Sequence, residues 1–165
     1  MKTIFGKRAL CRVCAEDYID WAGELLVRDY DSLSLRILAG LDRRSSIFEV
    51  ETYFLCAIKE LNLSEPDSKD AVRAYASEIA LQIIDGHLPS QEGVRMLYRI
   101  WLDTLDTEYD QADYVIWLEL DDALDSLKAG VFPYSFQSAT LDNFDALVKQ
   151  KAKEFIAEMN LKSAS

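Results

Sequence analysis

The sequence predicts an all-α fold, a single-domain bundle of about seven helices with short connections, and three observations carry that prediction. Every long segment spaces its apolar residues three and four apart, the helical period, and none alternates as a half-buried strand does. Residues that start helices (Ser, Thr, Asp) and glycines that end them recur between those segments. The 165 residues are half apolar and 28% charged, the composition of a folded chain of one domain with a sizeable core.

In chain order, Leu10, Cys14, Tyr18, Trp21, Ala22 and Leu25 make the stripe of a helix from about Arg8 to Arg28. Asp31 or Ser32 caps a short helix carrying Leu33, Leu35, Ile37 and Leu38, which Gly40 closes in the left-handed region. Ser46 and Glu49 have capping-box spacing and open a helix with Ile47, Val50, Phe54, Ile58 and Leu61, ending near Asn62. Ser64-Glu65-Pro66-Asp67 starts the next, with Val72, Tyr75, Ile79, Ile83 and Ile84 before Gly86. Ser90 is read as the cap of a fifth helix, whose stripe is Val94, Leu97, Tyr98, Trp101, Leu102 and Leu105. A carboxylate-rich connection, Asp106 to Asp110, leads to a sixth helix from about Ala112 to Leu127. Residues 128–139 hold Val131, Phe132, Tyr134 and Phe136. This density of bulky apolar groups predicts a loop folded down over the bundle. Thr140 caps the last helix, striped by Phe144, Leu147, Val148, Phe155, Ile156 and Met159, and a tail frays over residues 162–165.

Charge is the outlying property. The formal net charge is −11, and residues 100–127 contain no lysine or arginine. The same stretch carries Asp103, Asp106, Glu108, Asp110, Asp113, Glu119, Asp121, Asp122 and Asp125. Acidity of this order argues against nucleic acid or an anionic membrane as partner, because both require positive charge. No apolar run reaches spanning length and none follows the basic start as in a signal peptide, so a cytoplasmic location is expected. Cys11 and Cys14 form a C-x-x-C that no second pair or nearby histidine completes into a zinc set. They are read as reduced cysteines one turn apart on the first helix, with one partly buried. Cys56 is a helix spacer.

Catalytic signatures are sparse. The single histidine, His87, lies in a turn, and there is neither a glycine-rich phosphate loop nor a zinc-helix motif. Glu119 and Asp122 stand a turn apart in E-x-x-D spacing. That pair resembles half of the magnesium site of the all-α nucleotide pyrophosphohydrolases, but the preceding helix lacks the second carboxylate cluster. No cofactor, catalytic residue or metal ligand is therefore assigned. On a wheel of the sixth helix, Ile116, Trp117, Leu120, Ala123, Leu124 and Leu127 fill the core arc. Glu119, Asp121, Asp122 and Asp125 lie opposite. Val115 and Leu118 fall among these acids with Tyr114 beside them; either the loop at Val131 to Phe136 or a neighbouring helix covers them, or they form an exposed apolar anchor ringed by charge.

The segments Asp31 to Leu41, Phe48-Glu49-Val50, Ala80 to Gly86 and Glu92-Gly93-Val94-Arg95 resemble a widespread bacterial group of small, acidic, all-helical proteins. Some of that group are similar to the immunity partners encoded beside toxins. The matching positions are core and cap residues, so the resemblance implies fold and transfers no functional residue. The expectation is an immunity-type protein that binds and neutralises a basic toxin, with a nuclease as the natural case. Asp106, Glu108, Asp110, Tyr114, Leu118, Glu119, Asp121, Asp122 and Asp125 would contact the partner. The alternatives are a metal-dependent nucleotide hydrolase using the helix carboxylates, and a helical adaptor or scaffold.

Overall fold

The computed structural model describes residues 3–105 and 111–163. Among these, all regular structure is helical. In order it comprises α1 (Thr3–Ala9), α2 (Ala15–Val27), α3 (Leu33–Ala39), α4 (Ile47–Glu60), α5 (Ser68–Ile84), α6 (Ser90–Asp103), a 3-10 turn at Gln111–Tyr114, α7 (Val115–Lys128) and α8 (Phe144–Ser163). The all-α class is as expected, with eight α-helices where about seven were predicted. No helix among the described residues is long and apolar enough to cross a membrane.

The extra helix comes from the first segment, where one was expected across residues 8–28. Cys11 adopts φ +53°. Its N–H bonds the Arg8 carbonyl at 2.9 Å, and the Arg12 N–H bonds that of Lys7 at 2.8 Å. Those two bonds close α1 in the left-handed manner usual for glycine. Leu10 and Cys14 continue the helical spacing by coincidence. The two cysteines lie off any helix, and both are exposed.

Several caps also differ from expectation. Ser32 Oγ accepts from the Leu35 N–H at 3.2 Å, as predicted. Gly40 stays right-handed at φ −93°, and Ser46 makes no side-chain cap bond. Asp67 receives the first-turn N–H of Lys69 at 2.9 Å, and α5 begins at Ser68, so Pro66 lies before the first turn. Pro89 takes the cap position of α6, because the Ser90 hydroxyl is committed to Asp145 Oδ1 at 2.5 Å. Thr140 and Asn143 bond each other's backbone N–H reciprocally ahead of α8, which runs on through Ser163 where fraying was expected.

Residues 1–75 and 76–165 form two compact units, with the boundary inside α5. In the first, α2, α3 and α4 pack together around Tyr18, Trp21, Leu25, Leu35, Leu38 and Phe54. The Phe54 ring meets those of Tyr18 and Trp21, each at 4.8 Å. In the second, α6 packs on α7 and α8 around Leu97, Ile100, Trp117, Leu120, Leu124 and Val148. Only part of the predicted α6 stripe is buried. Val94 and Leu97 are buried, Tyr98 and Trp101 are half-buried, and Leu102 and Leu105 are exposed, whereas Ile100, outside the predicted stripe, is buried.

Two glycines test the packing with opposite signs. A Cβ at Gly6 would fall 2.5 Å from the Ala71 carbonyl oxygen and 2.4 Å from Tyr75 Cβ, whereas Gly23 has open space around it. Gly6→Ala should therefore lower unfolding stability by on the order of 1–3 kcal/mol through overpacking. Gly23→Ala, inside α2, should raise it by about 0.5–1 kcal/mol through helix propensity. Urea unfolding midpoints measure both.

Candidate partner-binding surface

Burial sets the orientation of α7. Trp117, Leu120, Ala123 and Leu124 are buried, with Ile116 and Leu127 at the margins. The Trp117 ring meets Phe155 of α8 edge-on at 5.3 Å. This is the arc predicted from the wheel. With it inward, Asp122 and Asp125 are exposed, Glu119 and Leu118 are half-buried, and Val115 is 43% exposed.

Two predicted contact residues lie elsewhere. Tyr114 is 2% exposed and packs 6.1 Å from the Phe155 ring, so it belongs to the core. Its place follows from the 3-10 turn, which swings Asp113 and Tyr114 inward before α7 begins. The neighbouring Asp113 carboxylate is buried and accepts from the Lys162 ammonium of α8. Asp121 is turned toward α6 with its side chain 15% exposed, and Arg95 Nε lies 3.9 Å from its Oδ1. Burial and the nearby Asp125 charge push the Asp121 carboxyl above its ordinary range, and Arg95 only partly offsets them. Asp106, Glu108 and Asp110 lie outside the described residues.

The loop after α7 does not fold down as expected. Phe132 is 85% exposed and Tyr134 95%, with Val131 exposed beside them. Gly130, at φ +73°, ends α7, and the chain then runs without helical bonding. Pro133 and Ala139 are buried and Phe136 is half-buried. Pro133 is turned inward, and Val131, Phe132, Tyr134 and Ser135 around it are exposed. Counting bulky residues predicted their burial, but a count does not tell which of them pack, and here Pro133 does while its aromatic neighbours do not.

These elements converge. Glu119, Asp122, Asp125 and Ser126 of α7 line an open cavity of about 390 Å³ together with Tyr134 and Ser135 of the loop. Arg95 of α6 lies 3.7 Å from Asp125 Oδ1. The chemistry on offer is recognition of cations. Carboxylates accept guanidinium or ammonium N–H groups, an exposed tyrosine offers a ring face to a cation, and Phe132 supplies apolar area. Among the described residues no three His, Cys, Asp or Glu side chains are grouped to hold a metal ion. The Glu119–Asp122 pair thus has no third ligand there.

No protein-family model, curated protein or solved structure matches this chain.

Asp121 separates packing from charge. Asp121→Asn should raise the unfolding midpoint at neutral pH, by on the order of 0.5 kcal/mol, because the amide removes a poorly compensated charge. The sign follows from linkage. A carboxyl whose folded pKa is raised destabilises the fold while ionised, and that penalty vanishes as pH falls below its unfolded value. The variant's advantage should therefore shrink as acid unfolding curves approach the ordinary carboxylate range.

Proposed function

We propose that this chain is an immunity-type binding protein that docks on a basic protein partner and neutralises it. The docking surface is the outer arc of α7 with the loop that follows it. The observation that supports this reading most is the exposure of Phe132 and Tyr134 beside Glu119, Asp122 and Asp125. Exposed aromatic rings contribute little to folding, and aromatic anchors rimmed by charge are the usual core of a protein interface. Charge speeds the encounter, and the rings supply the area removed from water.

The partner's class follows from electrostatics. A toxin that acts on nucleic acid needs a positively charged cleft to hold phosphates, and that cleft is the complement of this surface. Occupying it would exclude the substrate without any bond being made. A cytoplasmic site of action suits a chain with three free cysteines.

A binding titration against the product of the adjacent gene tests the proposal. Reversing Glu119, Asp122 and Asp125 to lysine should weaken affinity by about 100-fold or more, since each reversal costs on the order of 1 kcal/mol at a complementary face. Tyr134→Ala with Phe132→Ala should act mainly by speeding dissociation. Unchanged affinity in the charge-reversed protein would overturn the assignment.

A further inference from the structure

The loop between α1 and α2 carries the Cys11–Cys14 pair, which partner binding leaves unused. Each cysteine occupies a capping position that backbone physics allots to another residue. Cys11 has the left-handed conformation after α1, where a Cβ is unfavourable and glycine is usual. Cys14 is the N-cap of α2, where Ser, Thr, Asp and Asn are preferred. Neither gains by burial, because both are exposed. Cysteine is ordinarily among the most buried residue types, and its reactivity more than its packing decides where it is kept.

We propose that Cys11 and Cys14 are a reversible dithiol–disulfide pair. Only Arg12 and Val13 lie between them, so ring closure is confined to the loop. Val13 packs against the core of the first unit and holds that loop down. The cost to the fold is small. The Cys14 thiol donates to Asp17 Oδ2 at 3.2 Å, and oxidation removes that one bond. Asp17 keeps the Cys14 backbone N–H at 2.9 Å and the Lys7 ammonium at 2.5 Å. The co-reactant is a low-molecular-weight disulfide such as oxidised glutathione. One protein thiolate attacks it, forming a mixed disulfide and releasing one glutathione thiol. The second protein thiolate then displaces the other glutathione. Two protein thiols are oxidised, one disulfide is reduced, and the two protons end on the two released glutathione thiolates.

The test uses the full chain carrying Cys56→Ser, with far-UV circular dichroism as the folding control. After incubation with oxidised glutathione, titratable thiols should fall from two to none. The intact mass should drop by two hydrogens with no adduct retained, and dithiothreitol should reverse both changes. Adding Cys11→Ser should trap a stable glutathione adduct on Cys14, because the resolving thiol is gone. Stable glutathione on both cysteines of the parent, or thiols that stay unreacted, would overturn the proposal.

Discussion

The seating of α7 on α6 and α8 is the constraint on which the second unit's surface depends. Trp117, Leu120 and Leu124 are wholly buried in that seat, and burying each such side chain stabilises the fold by roughly 1.5–3 kcal/mol. Repulsion between solvated carboxylates a turn apart is worth only about 0.2–0.5 kcal/mol per pair. Packing therefore decides the rotation of the helix, and Glu119, Asp122 and Asp125 follow outward. The seat is fastened from α8 at both ends, by Asp145 accepting from Ser90 at the start of α6 and by Lys162 donating to the buried Asp113.

Exposure of the loop aromatics is the second consequence of packing. Pro133 is the inward anchor, while Phe132 and Tyr134 on either side of it face solvent. Carboxylates alone would describe a solvated face of the kind many soluble proteins carry. Two exposed rings beside them, with an open cavity shared by Tyr134 and the acids, describe a surface that can both attract a cationic partner and hold it. Apolar area supplies most of the attraction at close range, while charge sets specificity and encounter rate.

Much of the architecture was legible in the periodicity. The inner arc of α7 and the buried Val94 and Leu97 of α6 follow from side chains whose spacing admits one inward face, and the Ser32 cap follows from its hydroxyl. The errors share a cause, which is competition between a local signal and a more distant partner. Leu10 and Cys14 keep helical spacing across a break made by backbone bonds at Cys11. Ser90 has the right chemistry for a cap, but Asp145 claims its hydroxyl. Tyr114 looked like a surface anchor because a wheel cannot show that a 3-10 turn precedes α7. Of the candidate surface, the acids Glu119, Asp122 and Asp125 were visible in the sequence. Tyr114, expected beside them, is buried, and the exposed rings beside those acids are Phe132 and Tyr134, around a Pro133 whose burial is a tertiary fact.

Hydroxyl-radical footprinting of the free protein, read residue by residue by mass spectrometry, tests the central claim most directly. The account predicts that Phe132 and Tyr134 are modified at rates close to those of the unfolded chain, while Tyr114 and Trp117 are protected. Protection of Phe132 and Tyr134 to the same degree as Tyr114 would mean that the loop covers the bundle, and the docking surface would lose its anchors.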